Sequence, residues 1–399
     1  MPARTSRRAF LAQAAVTTLG AESRQKIVSV KAAPLPLLST ARFGTKEFTS
    51  DHDPARHRWF GPFSQLAGSI LVQIRTDQGI TGYGMGGGGT AAIHIIDTHL
   101  KDLLIGANAS NIDLLWEQLF HSTSFYGRRG VPIMAISGID LALWDIAGKV
   151  AGQPVWRLLG GAAREKVTAY YTGADMERGV ALGFQAFKMG LFESGGATGK
   201  ESMFRVIAAL EKARGIIGPD AKLMIDCLCR WNVEHTLEFA KRAAGLNLYF
   251  IEEPLFPDDV AGYQRLCREI TGTRIACGEH EFTRFGFQEI IRNQAAHILQ
   301  PDLTWGGGLS DARQTATIAA AHGLPVMPHR GGSLFGIHLV VSHPNCPMAE
   351  SFGTGEPGNE MMELLTPRFA NGYYFPPEKP GMGLNLNPAL LKKHVPALQ

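Results

Sequence analysis

The chain has 399 residues, 45% of them hydrophobic and 19% charged, with a formal net charge of +3. That length holds one large core or two domains. The small charge argues against a phosphate-tracking surface, so no nucleic-acid partner is expected. No apolar run reaches the roughly 18 residues of a membrane span, so no membrane partner is expected either.

Ser6-Arg7-Arg8-Ala9-Phe10-Leu11 resembles a twin-arginine export signal, followed by a mildly apolar stretch to Ala21. Residues 1–25 read as such a signal, which would make the protein periplasmic, or as a disordered tail on a cytoplasmic one. Ile27 to Leu38 is β-like, and Ala41 to Ser64 reads as irregular. That loop carries His52, Arg56, His57 and Arg58. Ser69 to Arg75, a turn at Asp77-Gln78-Gly79, and Ile80 to Tyr83 form a hairpin. Gly86 to Gly89 lacks the spacing of a phosphate loop and reads as a mobile connection. From His94 to Leu158 the apolar spacing is helical, and Gly160-Gly161 stops the last helix.

After Gly161 short β-like runs alternate with amphipathic helical ones. The β runs are Val167–Thr172, Ala186–Met189, Lys222–Asp226, Leu248–Glu252, Arg274–Glu279, His297–Asp302, Pro325–His329 and Met348–Ser351. Eight strands separated by helices imply a closed parallel barrel or a long open sheet. The Pro- and Asn-rich tail from Pro367 is expected to fold back on the N-terminal part. The five cysteines, Cys227, Cys229, Cys267, Cys277 and Cys346, are too sparse and odd in number for a disulfide framework. Cys227 and Cys229 would share a face on a strand, as buried packers or as a metal pair.

Six of the eight strands end in, or just before, a residue able to do chemistry: Lys188, Asp226, Glu252, Glu279, Asp302 and His329. In a barrel these ends converge on one mouth. Asp226, Glu252 and Glu279 come from successive strands. At about 4 Å and an effective dielectric of 20 each pair repels by roughly 4 kcal/mol, so they need a cation. An all-oxygen set favours Mg²⁺ before Mn²⁺. Glu252 keeps the strand-end phase, and the adjacent Glu253 is the alternative ligand. His329 beside Asp302 is poised as a general base. Lys188 could grip a substrate carboxylate, and Gly190, in phase with it, offers no second base. Glu350, at the eighth strand end, could orient the base or bind a hydroxyl.

Ile139-Asp140-Leu141-Ala142-Leu143-Trp144-Asp145, Met224-Ile225-Asp226, Phe250-Ile251-Glu252-Glu253-Pro254, Cys277-Gly278-Glu279-His280, Gln300-Pro301-Asp302 and Met327-Pro328-His329 together resemble the enolase superfamily, in its mandelate racemase-like branch. The resemblance implies a modified (β/α)₇β TIM barrel, with an α+β N-terminal capping domain that the C-terminal tail completes. Its divisions would be 26–160 for the cap, 161–365 for the barrel and 366–399 for the returning segment. It also implies one Mg²⁺ on Asp226, Glu252 and Glu279, an Asp302–His329 dyad and a homo-oligomer. Tyr171-Thr172-Gly173-Ala174, Lys188-Met189 and Trp305 place the chain nearest the acid-sugar dehydratases of that branch, L-rhamnonate dehydratase-like proteins among them. The substrate would be a sugar acid, losing its α-proton and 3-hydroxyl to give a 2-keto-3-deoxy acid. His52, Arg56, His57, Arg58, Lys188 and His280 are the candidate substrate-binding residues. Glu281, where a second His is expected, and Arg330, where Gly is usual, depart from the pattern at the mouth. The alternatives are a racemase or epimerase on the same scaffold and a non-catalytic sugar-acid-binding sensor.

Overall fold

A computed structural model describes residues 24–35, 49–53, 56–60, 68–191, 199–351 and 363–398. The twin-arginine-like segment lies outside them. In the N-terminal half, β1 (Ile27–Pro34), β4 (Ile70–Thr76) and β5 (Thr81–Gly86) form an antiparallel sheet in the order β1-β4-β5. The segment expected to be irregular contains an antiparallel hairpin, β2 (Thr49–Asp53) with β3 (Arg56–Phe60), pairing His52 with His57. Its polar sequence has no apolar alternation to announce a strand.

The helix Val131–Val150 lies on this sheet. Its length and apolar composition would suit a membrane span, yet it is a buried core helix. The sheet approaches it closely because β5 is glycine-rich. A Cβ on Gly84 would stand 2.1 Å from the carbonyl oxygen of Gly138. The Gly86–Gly89 stretch is not a loose connection. Its residues are buried, and a Cβ on Gly87 would meet the Trp305 ring at 2.7 Å.

The second half is built on parallel strands: β6 (Val167–Thr172), β7 (Ala186–Gly190), β8 (Lys222–Asp226), β9 (Leu248–Glu252), β10 (Arg274–Cys277) and β11 (Ile298–Leu299). They are neighbours in sequence order, and β12 (Met348–Ser351) returns to pair in parallel with β6. Where a seventh strand is expected at Pro325–His329 there is one bridge, Leu299 to Val326. β10 and β11 also stop short, so Glu279, Asp302 and His329 stand on loops beyond the ladders. Pro301 and Pro328 lack the N–H that a longer ladder would need.

The barrel interior is layered with period two. Tyr170, Ala186, Met224, Phe250, Ala276, Ile298, Met327 and Met348 form one buried apolar cluster. Two residues on along the same strands or their extensions stand Thr172, Lys188, Asp226, Glu252, Gly278, Gln300, His329 and Glu350. Alternate residues of a strand share a face, so the second set is the next layer up, at the mouth.

The tail contacts both halves. The strand Tyr373–Tyr374 pairs with β6, Gly381 bridges to Pro154, and Gln73 donates to the carbonyl of Leu398 at 3.3 Å. Asp145 joins three pieces of chain. It accepts N–H bonds from Tyr83 at 2.9 Å and Met382 at 2.8 Å, and pairs with Lys149 at 2.6 Å. Across the two halves, Asp140 accepts the hydroxyl of Ser310 at 2.5 Å and the indole of Trp116 donates to the carbonyl of Gly307 at 2.7 Å.

Candidate active site and metal centre

Asp226, Glu252 and Glu279 each bring a carboxylate oxygen within 4.8 Å of the other two. All three are buried. Asp226 accepts the N–H of Leu228 at 2.9 Å. Glu252 is held at both oxygens, by Lys188 Nζ at 2.5 Å and Gln300 Nε2 at 2.6 Å. The chain's own charges do not neutralise the cluster. Burial, opposed by Lys188, still raises Asp226 to about 7 and holds Glu252 well above the usual carboxylate range. A hard divalent cation supplies the missing charge, and an all-oxygen donor set suits it, so the residues fit Mg²⁺.

Glu253 turns the other way. Its backbone takes a left-handed φ of 36°, and its carboxylate meets His280 Nδ1 at 2.6 Å and Cys229 Sγ at 3.2 Å. Burial pulls Glu253 upward, but the His280 charge and hydrogen bond outweigh it and leave it at about 2. His280, partly exposed, is raised to about 10, because Glu253 overcomes the opposing pull of burial. Its ring stands 5.9 Å from that of Trp305.

His329 Nδ1 lies 2.6 Å from Asp302 Oδ2, and Nε2 lies 3.6 Å from Glu279 Oε2. The imidazole therefore faces the carboxylate triad with one nitrogen and the dyad carboxylate with the other. Burial pulls the His329 pKa down, while Glu279 and Asp302 more than restore it. Asp302 is fixed in turn: its Oδ1 accepts the N–H of Thr304 at 2.5 Å and its hydroxyl at 2.6 Å. The Trp305 ring packs 5.3 Å from that of His329.

Lys188 is enclosed by carboxylates. It is 1% exposed, and its ammonium lies 2.5 Å from Glu252, 2.7 Å from Glu350 and 3.7 Å from Asp226. Burial disfavours the ammonium, but these carboxylates outweigh it and keep it charged. Lys188 therefore acts as a counter-ion to Glu252 and Glu350 within the wall. Glu350 is equally committed. Oε1 meets Lys188 and the hydroxyl of Thr172 at 2.8 Å, and Oε2 accepts the N–H of Arg330 at 2.9 Å. It orders the wall beside His329 through these three contacts.

The Glu281 carboxylate accepts the N–H of Phe282 at 2.7 Å and pairs with Arg129 at 3.5 Å. Arg330 borders the mouth, with its guanidinium 4.9 Å over the Trp305 ring. The side chains of His52, Arg56, His57 and Arg58 lie outside the described residues. Sequence reasoning assigned no role to Gln300, Thr172 or Thr304. Gln300 and Thr172 carry a signal, because both occupy the in-phase mouth position of their strands. Cys227 and Cys229 do not share a strand face, since β8 ends at Asp226 and Leu228 and Cys229 turn left-handed at φ 51° and 57°. None of the five cysteines is in a disulfide.

Comparison with known proteins agrees with this architecture. Residues 62–160 match the mandelate racemase / muconate lactonizing enzyme N-terminal domain, and residues 172–390 match the enolase C-terminal domain-like family. An L-rhamnonate dehydratase of Saccharopolyspora erythraea is 35% identical over 330 residues, 81% of this chain and 84% of the relative. The crystal structure of rhamnonate dehydratase from Gibberella zeae complexed with Mg superposes with a TM-score of 0.80 at 32% identity, covering 93% of this chain and 96% of that one. A racemase from Streptomyces coelicolor with bound magnesium gives a TM-score of 0.76 at 27% identity over 92% and 99%. The chain belongs to the enolase superfamily, in its mandelate racemase / muconate lactonizing enzyme branch, and is an enzyme of that family.

Proposed function

We propose that the protein is an acid-sugar dehydratase, a Mg²⁺-dependent hydro-lyase that converts an aldonate of the L-rhamnonate kind to a 2-keto-3-deoxy acid. The observation that carries this reading is the His329–Asp302 pair facing the carboxylate triad, with His329 Nε2 3.6 Å from Glu279. The names of the relatives support the reaction class and the cofactor.

Asp226, Glu252 and Glu279 would hold the ion. When bound, Mg²⁺ supplies electrostatic stabilisation for the negative charge that builds on the substrate carboxylate as the C2–H bond breaks. His329 Nε2 takes the C2 proton. Asp302 fixes the tautomer by accepting from Nδ1–H and stabilises the imidazolium that results. The imidazolium then returns the proton to the departing 3-hydroxyl, which leaves as water, and the enol tautomerises to the ketone. Lys188 and Gln300 hold Glu252 in place throughout.

Incubating the Mg²⁺-loaded protein with a panel of aldonic and aldaric acids and assaying 2-keto products tests the proposal. Turnover of an aldonate with no deuterium washed into recovered substrate supports it. Deuterium exchange without a keto product points instead to a racemase, which at Gly190 lacks the second base it would need. Binding without any turnover overturns the enzyme reading in favour of a sensor.

A further inference from the structure

Each of the three strand ends that carries a member of the hard triad carries a second donor just beyond it. Cys229 follows Asp226 by three residues, Glu253 follows Glu252, and His280 follows Glu279. These three also converge. The Cys229 sulfur, a Glu253 oxygen and a His280 ring nitrogen lie within 4.8 Å of one another. Glu253 Oε2 sits between the others, 3.2 Å from Cys229 Sγ and 2.6 Å from His280 Nδ1. Cys229 is 6% and Glu253 2% exposed, while the His280 side chain at 37% opens a path from solvent.

The backbone builds this cluster at some cost in conformation. Leu228, Cys229 and Glu253 all take left-handed φ angles, 51°, 57° and 36°, that residues with a Cβ rarely adopt. Loop-to-loop hydrogen bonds hold them there. Cys227 N–H donates to the carbonyl of Glu252 at 2.8 Å, Cys229 N–H to that of Glu253 at 2.7 Å and Trp231 N–H to that of Pro254 at 2.8 Å. Strain that the surroundings over-determine is characteristic of functional positions.

We propose that Cys229, Glu253 and His280 form a second cation site, selective for borderline transition ions such as Zn²⁺ and separate in its donors from the hard triad. One sulfur, one nitrogen and one oxygen are the ligand types that favour Zn²⁺ over Mg²⁺. Zinc–sulfur and zinc–nitrogen bonds of about 2.3 and 2.0 Å at a tetrahedral angle set those two atoms about 3.5 Å apart, inside the span observed. Binding displaces one proton from the thiol and one from the ring nitrogen, both to solvent, with no change of oxidation state. An ion there fixes the His280 ring beside Trp305, which itself packs on His329. Zn²⁺ therefore inhibits with Mg²⁺ saturating.

The test uses metal alone. With Mg²⁺ saturating, Co²⁺ titration of the wild-type protein should add one ion per chain and a thiolate-to-cobalt charge-transfer band. Cys229→Ser should lose both, and Cys346→Ser, a buried thiol elsewhere, should keep both. Zn²⁺ should inhibit Cys229→Ser at least tenfold more weakly than wild type. Should Cys229→Ser not fold, anomalous scattering from wild-type crystals holding Mg²⁺ and Zn²⁺ decides alone. A zinc peak between Cys229, Glu253 and His280 supports the site. A peak only at the carboxylate triad, no sulfur band, or a band that survives in Cys229→Ser overturns it. The cobalt and scattering readouts need no substrate, so they stand or fall independently of the dehydratase reading.

Discussion

On the same strands or their extensions, two residues apart, stand Met224 and Asp226, Phe250 and Glu252, Met327 and His329, Met348 and Glu350. All eight are buried. The lower layer obeys the ordinary rule for a parallel strand, apolar on every buried face. The upper layer breaks it with carboxylates, an imidazole and, on β7, the ammonium of Lys188. Equal burial with opposite chemistry shows that the mouth is not a weak point of the core. It is a charged layer that the apolar floor seals from below, and each of its charges is stable only through its neighbours.

The comparison can be broken most decisively at the imidazole. His329→Asn should lower kcat by roughly 10²–10⁴-fold, the usual worth of a positioned acid–base group. Mg²⁺ affinity, read by calorimetry, should stay within a few-fold of wild type. A variant with unchanged turnover removes His329 from the reaction. Next in size is Lys188→Met. It strips the ammonium from Glu252 and Glu350, and breaking a buried pair on one side costs about 3–5 kcal/mol. Mg²⁺ should then raise the melting temperature of the variant more than that of wild type. Equal melting in metal-free buffer would show that these carboxylates do not depend on the lysine.

Much of this layering was legible in the sequence. Asp226 and Glu252 stand at strand ends in matching phase, and a period of two fixes which residues face inward. That same period separates Glu252 from Glu253, whose side chain leaves for Cys229 and His280. The partners of Lys188 were not legible. A strand-end lysine reads alike whether it faces substrate or wall, and only the barrel's closure brings Glu350 of β12 against β7. The hairpin of Thr49–Asp53 with Arg56–Phe60 hid because its mostly polar sequence lacks apolar alternation. The seventh strand was over-read, because Pro325–His329 has a β-like composition but makes a single bridge. Gly86–Gly89 looked loose although its missing side chains make room for Trp305.

A second buried histidine separates burial from pairing. His338 accepts the N–H of Trp156 at 3.1 Å, and burial lowers its pKa to about 4. His329, equally enclosed but beside Asp302 and Glu279, is raised instead. Because the fold lowers the His338 value from 6.5, its stabilising contribution is complete above pH about 6.5. It is lost as pH falls towards 4, where the unfolded chain binds the extra proton. The loss should be roughly 3 kcal/mol. His338→Asn keeps an acceptor for Trp156 and removes the titration. Denaturant melts of the two proteins between pH 7 and 4 should therefore diverge at the acid end, and parallel curves would show that His338 protonates inside the fold without penalty.

The smallest effect is expected in the floor, and it is the sharpest check on whether the two layers act separately. Met224→Leu conserves volume and apolar character in the cluster formed with Phe250 and Met348, so it should cost under about 1.5 kcal/mol by denaturant melting. The pKa of Asp226, two residues on, is raised by burial and opposed by Lys188, and a volume-conserving change beneath it leaves both in place. Mg²⁺ affinity and kcat should accordingly be unchanged. A tenfold loss of Mg²⁺ affinity in Met224→Leu would mean that packing in the floor sets the spacing of the carboxylates above, because a sub-ångström shift transmitted along β8 is enough to move Asp226 against Glu252.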